Sequence, residues 1–318
     1  PDELDAQVPV VLNVNGHDGD GKAAEYKQLR CINLAKRGML ALNVEWFGMG
    51  QLKTESFLHY RANQLDLCGT PALAPFVLSM RRGIDLLLAH EHADPDRVAV
   101  TGLSGGGWQT MVISALDPRV TLAVPVAGYA SAGSVLEHHD LGDTEQSPTD
   151  LHTVAEYALL TAMRAPKPTL LVYNAADGCC FRADHALEPL LAAARPAYRL
   201  FGAPDRLRWH VNYDPGHHNY ERDNREALYR AVGDFFYPGD AGYPRDEIAS
   251  DAEVLSAAEL EVALPEENAD FNRLARMLAE PLPASDDLPD DGPTRRQWQA
   301  DARARLAATV RWPRSYAL

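Results

Sequence analysis

One hydroxyl group is set in the frame Gly102-Leu103-Ser104-Gly105-Gly106, with the apolar run "RVAVTG" leading into it and the helix-like "GGWQTMVISAL" leading out. A strand, a tight turn and a helix in that order, with small residues two before and two after the serine, describe a turn that lifts a nucleophile above a sheet edge. The helix N-terminus at the same turn offers backbone N–H groups and a positive dipole end where an oxyanion would form. A phosphate cradle is the competing use of such glycines, but the Lys-Ser/Thr pair of a P-loop does not follow here.

Serine is a weak nucleophile until a base takes its proton and a third group holds that base. On a strand–turn–helix nucleophile the acid follows a late strand and the histidine the last one. Asp177, after "PTLLVYNA", is the candidate acid, and Asp184 and Asp205 are weaker substitutes. The other use of Asp177 is as the turn-former of an Asp-Gly pair. The base is His218 or His217, both after "HVNYDPG", with His218 favoured. A second oxyanion donor is expected from the loop Asn15–Gly21, "NGHDGDG", with Gly16 allowing close approach and the His17 backbone N–H donating beside that of Gly105.

These groups need a scaffold whose strand ends share one edge. Between residues 8 and 237, apolar runs at 8–15, 39–45, 97–102, 120–128, 168–175 and 207–213 alternate with helical patterns near 21–37, 75–92, 105–116, 184–195 and 219–236. Such alternation predicts an α/β fold, a mostly parallel sheet with helices on both faces. Residues 129–168 interrupt it, and so long an excursion predicts a lid or pocket wall. Residues 1–238 are expected to form the catalytic domain. Residues 239–318 read as a linker and a partly irregular C-terminal extension with helices near "FNRLARMLAE" and "RRQWQADARARLAATVR", separated by the Pro/Asp-rich 280–293.

Composition narrows the partners. Against 45 acidic side chains stand 30 basic ones, and the net charge of −15 repels polyanions, so nucleic acid is not an expected partner. No apolar run reaches the roughly 20 residues of a membrane helix, and no membrane partner is expected. Four cysteines (Cys31, Cys68, Cys179, Cys180) are too few for a disulfide scaffold and lack zinc-site spacing; for Cys179 and Cys180 free thiols are favoured over a strained vicinal disulfide, and their redox state is left open. His138, His139, Asp140, Asp143 and His152 are metal-ligating types in no recognised frame, so we expect neither a metal nor a cofactor. The first residue is Pro1, not Met, from which an upstream stretch with a lost targeting signal is expected, favouring a secreted or periplasmic protein. The oligomeric state is left open.

The set "NGHDG", "WFGMGQ", "GLSGGG", "NAADG" and "GHHNY", spread over residues 8–237, resembles the α/β-hydrolases, closest to the acetyl xylan esterase-like and dienelactone hydrolase-like serine hydrolases. The resemblance implies Ser104 as nucleophile, Asp177 as acid, His218 or His217 as base, and Gly105 with His17 as oxyanion donors. It also implies an acyl-enzyme mechanism on a small-molecule or carbohydrate ester. Asn15 stands where those esterases carry His, and Glu45-Trp46-Phe47 where they carry Asp-x-Arg, so substrate specificity does not transfer. Trp46, Phe47 and Trp108 are expected to line the substrate pocket, with Phe181 and Tyr220 as further aromatic candidates, although core packing is the commoner role of such residues. Two other functions use the same frame: a prolyl-oligopeptidase-type peptidase, against which the absence of propeller-like repeats counts, and a catalytically silent binding protein, against which the complete Ser/Asp/His set counts.

Overall fold

The computed structural model describes residues 6–139, 142–282 and 289–311. Six strands, β1 (Val8–Asn13), β2 (Leu40–Asn43), β3 (Ala93–Leu103), β4 (Leu122–Val126), β5 (Thr169–Asn174) and β6 (Leu207–Asn212), form one parallel sheet in the order β2-β1-β3-β4-β5-β6. Every residue of β4 and β5 is buried, as expected for central strands covered on both faces, whereas the edge strand β6 is buried only at its two ends. Between strands run α1 (Glu25–Lys36), α2 (Leu73–Leu88), α3 (Gly105–Leu116) and α7 (Ala183–Leu200), and α8 (Arg222–Phe236) follows β6. Val11, Ala99, Leu122, Val124 and Val172 of the sheet pack with Leu228, Val232 and Phe236 of α8 in a continuous core.

Each strand predicted from the apolar runs is present. The predicted helix at 184–195 runs on to Leu200 through Pro189 and Pro196. Among the described residues of 129–168 lie three short α-helices, α4 (Ala132–His138), α5 (Leu151–Val154) and α6 (Tyr157–Met163). Asp140 of the histidine-rich stretch lies outside the described residues.

Two compact units make up the chain, residues 1–275 and 276–318, so the first unit extends past the boundary expected at 238. Its last segment is bound by side chains of the first sixty-odd residues: Asn33 donates to the Ile248 carbonyl, Gln28 to that of Leu255, Gln51 to that of Val262 and Gln64 to Asn272. The hydrophilic texture that suggested a linker reflects backbone hydrogen bonding to the domain surface. Helix α9 (Phe271–Ala279) begins with the buried Phe271, and α10 (Gly292–Thr309), in the second unit, has no buried residue. No helix among the described residues is long and apolar enough to cross a membrane.

The β3–α3 turn is tight because β1 runs directly beneath it. A methyl group on Gly102 would lie 2.2 Å from the Val14 carbonyl oxygen, and one on Gly106 would lie 2.6 Å from it. Backbone cannot swing aside as a side chain can. Gly106→Ala is therefore expected to destabilise the fold by at least about 1–3 kcal/mol, the usual cost of overpacking, read as a lower urea midpoint with an unchanged slope.

Candidate active site

Ser104 occupies the turn with φ 59° and ψ −123°, a conformation rarely adopted by a residue with a Cβ. It is held there by its own N–H donating to the Val126 carbonyl (2.9 Å) while its carbonyl accepts from Trp108 N–H (3.0 Å). Strain of this kind persists only where neighbours on both sides specify it, and here β4 and α3 supply them.

Asp177 and His218 lie after β5 and β6 and meet: His218 Nδ1 and Asp177 Oδ2 share a hydrogen bond of 2.8 Å. The other carboxylate oxygen accepts from Cys179 N–H (2.9 Å), and Asn174 Nδ2 donates to Oδ2 (3.2 Å). Burial works against the charge on Asp177, but the hydrogen bonds from His218, Cys179 and Asn174 outweigh it and hold the carboxyl below its ordinary range. For His218 the balance has the opposite sign: burial pushes the imidazole down, the Asp177 hydrogen bond and charge push it up, and the result lies above the ordinary histidine value. His217 points elsewhere, with a side chain 58% exposed and Nε2 3.4 Å from Glu221. Asp184 pairs with Arg182, and Asp205 sits in an exposed turn before β6.

The loops carrying Asp177 and His218 are tied by a buried asparagine cluster that sequence inspection missed. Ala176 N–H donates to the Gly216 carbonyl (2.8 Å) and Gly216 N–H to Asn212 Oδ1 (2.9 Å). Asn219 Nδ2 donates to the His217 carbonyl (2.6 Å), and Asn224 Nδ2 to Asn174 Oδ1 (2.8 Å) and the Asn219 carbonyl (3.0 Å). Asparagine suits this job because each amide both donates and accepts. The clue was available: Asn residues at the ends of two apolar strands, Asn174 and Asn212, are out of place in a core.

The loop after β1 is anchored in a similar way. Asn15, the residue in the position of the usual histidine, is buried; its Nδ2 donates to the Val44 carbonyl (2.6 Å) and Asn43 Oδ1 (2.7 Å), and its carbonyl accepts from Gln109 (2.8 Å). Buried Arg30 donates to Asn13 Oδ1 (2.8 Å) and stacks over Tyr220. Gly16 touches the nucleophile turn so closely that a methyl group there would lie 2.7 Å from the Leu103 oxygen and 2.8 Å from Gly105 N. The His17 ring faces the other way, edge-on to His59 at 4.4 Å between centroids, with Nε2 3.3 Å from Asp143 Oδ2.

A cavity of about 670 Å³ is lined by Gly16, His17, Leu103, Ser104, His218 and Tyr220, with a charged rim that includes Asp18, Glu221 and Arg222. The aromatic wall expected from Trp46, Phe47 and Trp108 is not part of its lining. These rings pack with Phe76 at centroid distances of 5.0, 5.0 and 5.7 Å. Trp46 and Trp108 are buried, and the Trp108 indole N–H donates to Tyr157 Oη (2.7 Å). Trp46 lies beneath Gly105, where a methyl group would meet it at 2.7 Å, so it supports the turn from below. Trp108 and Phe181 border a second, more apolar cavity of about 400 Å³ under the insertion. Apolar residues beside a polar site pack with one another because the core extends up to its floor.

The insertion also corrects the grouping of its histidines. His138 stacks on His185 (4.0 Å), and His152 borders the second cavity. Asp143 meets His17 and His59, the latter at 3.4 Å, with buried Glu145 beside them. The hydrogen bond to His59 holds Asp143 below the ordinary carboxylate range and His59 above the ordinary imidazole one, whereas burial lowers His17 and pushes Glu145 up to about 7. His59 lies far in sequence from His17, Asp143 and Glu145, and no spacing motif links them. Cys179 and Cys180 sit side by side after Asp177, with 2.9 Å between their sulfurs.

No protein-family model and no curated protein sequence matches this chain. Its fold does match solved structures. A methylesterase is 20% identical with a TM-score of 0.66, covering 81% of this chain and 55% of its own. A protein from Bacteroides fragilis described as an acetyl xylan esterase is 18% identical with a TM-score of 0.55, covering 68% of this chain and 61% of its own. A glucuronoyl esterase from Teredinibacter turnerae is 16% identical with a TM-score of 0.52, covering 74% of this chain and 68% of its own. This chain thus spans a little over half the length of the first two, and shares with all three the α/β-hydrolase fold.

Proposed function

We propose that this α/β-hydrolase-fold chain is a serine carboxylic-ester hydrolase acting on an acetylated or otherwise esterified carbohydrate. The observation that carries the proposal is the 2.8 Å bond between His218 Nδ1 and Asp177 Oδ2, with His218 bordering the same cavity as a serine at φ 59°. Asp177 holds the imidazole with Nε2 free to act, and its charge stabilises the imidazolium. Ser104 Oγ attacks the ester carbonyl as His218 takes its proton. The backbone N–H groups of Gly105 and His17 hold the tetrahedral oxyanion, contributing about 3–4 kcal/mol for each donor. His218 then protonates the departing alcohol, and a water molecule activated by the same imidazole releases the acid. The polar, charged rim of the cavity suits a hydroxyl-rich alcohol, and carbohydrate esterases of similar fold favour the same class.

A fluorophosphonate probe is expected to label the protein and lose its site in Ser104→Ala, with p-nitrophenyl acetate and acetylated or methyl-esterified sugars turned over by wild type alone. The two histidines separate cleanly. His217→Ala removes a half-exposed side chain and an i,i+4 pair worth about 0.3–0.5 kcal/mol, and is expected to leave kcat/KM within about twofold. His218→Ala is expected to lose nearly all of it. Equal losses in the two variants would reject the assignment of the base.

A further inference from the structure

The geometry points to a divalent transition-metal site of the Zn²⁺ type, formed by His17, His59, Asp143 and Glu145, that clamps the insertion to the loop beside Ser104. One ligating atom from each residue falls within 4.8 Å of the other three. Each imidazole stands beside a different oxygen of the Asp143 carboxylate: His17 Nε2–Asp143 Oδ2 is 3.3 Å and His59 Nε2–Asp143 Oδ1 is 3.4 Å. Donors about 2.0–2.2 Å from a tetrahedral Zn²⁺ stand about 3.3–3.6 Å apart.

Glu145 supplies an independent reason. It is 0% exposed, and neither carboxylate oxygen has a hydrogen-bond partner. A buried carboxylate without partners is costly and calls for an explanation. A cation between it and Asp143 supplies one: two carboxylates and two neutral imidazoles carry a charge of −2, which a single divalent ion cancels. The turn carrying Glu145, Thr144–Gln146, is held in place by Tyr157 Oη donating to the Gln146 carbonyl, so the carboxylate is not free to swing outward. Two imidazoles select a borderline ion over Ca²⁺ or Mg²⁺, which favour oxygen ligands alone.

Four protein donors complete a tetrahedral shell, the pattern of a structural ion with no position left for reacting water. The ligands come from three places distant in sequence: the loop after β1, the turn at His59–Gln64 and the insertion. Binding would therefore order all three together, and would fix His17, which borders the same cavity as Ser104. This inference does not depend on the ester-hydrolase reading, since metal binding is measured directly.

The test is titration of the full chain, stripped of metal with a chelator and then dialysed, with Zn²⁺ in a calorimeter, with Mg²⁺ and Ca²⁺ as comparisons. One Zn²⁺ per chain is expected, with no saturable heat from the other two ions, and zinc-edge X-ray absorption should report two imidazole nitrogens and two oxygens. Glu145→Gln and His59→Ala are each expected to weaken Zn²⁺ binding by more than the roughly 10–100-fold that loss of an outer-shell partner costs, while His152→Ala leaves it unchanged. Circular dichroism identifies a variant that has lost its fold, and the partly exposed His59 is the substitution least liable to do so. Absence of one-to-one binding, or binding that survives both substitutions in folded protein, would overturn the site.

Discussion

Ser104→Ala is expected to reduce ester turnover by on the order of 10⁶-fold, as removal of the nucleophile does in serine hydrolases, equivalent to roughly 8 kcal/mol of barrier. The expected size of the effect follows from the turn. A backbone at φ 59° and ψ −123°, braced by the Val126 carbonyl on one side and Trp108 N–H on the other, holds Ser104 at the border of the cavity that His218 also lines. Alanine keeps that strain and removes only the oxygen, so the variant should fold as wild type does. Steady-state assays with p-nitrophenyl acetate, together with loss of fluorophosphonate labelling, measure the effect; undiminished turnover by the variant would refute the mechanism.

Asp177→Asn should follow, lowering kcat by about 10⁴-fold as in triads whose acid becomes an amide, and its pH profile should move as well. In wild type the Asp177 carboxylate more than offsets the burial of His218 and raises its pKa above 6.5. The base must be neutral to act, so kcat/KM should climb with pH through that raised value and then level off. Asparagine removes the upward push and leaves burial in place. The ascending limb of the variant should accordingly shift to lower pH, even though the plateau falls. A profile that drops in height without shifting would mean that Asp177 supports the loop and not the imidazole. Asp177 itself stays ionised across the range, since its hydrogen bonds hold it below the ordinary carboxylate range.

Much of the architecture is legible in the chain because it rests on local patterns. Strands covered on both faces must be apolar throughout, and "LAVPV" and "TLLVYN" are fully buried. The frame around Ser104 is legible for a similar reason: only glycine fits against the Val14 carbonyl at positions 102 and 106, so the packing constraint is written into residue type. Which histidine faces Asp177 is not written that way. His217 and His218 differ by one position, and it is the asparagine cluster behind the loop that turns one inward and leaves the other 58% exposed.

By itself, then, the sequence determined the parallel sheet, the strained serine turn and the placing of Asp177 and His218 after the fifth and sixth strands, since each follows from spacing or local sterics. Tertiary structure alone decided three other matters. It sent Trp46, Phe47 and Trp108 into a shared aromatic cluster and not the cavity wall, because large rings gain more from mutual burial than from facing a polar site. It carried residues 239–275 back onto the domain through side-chain hydrogen bonds to backbone, which leave no hydrophobic period to detect. It also brought His17, His59, Asp143 and Glu145 within 4.8 Å, a convergence that depends on how three loops pack and has no signature in their separation along the chain.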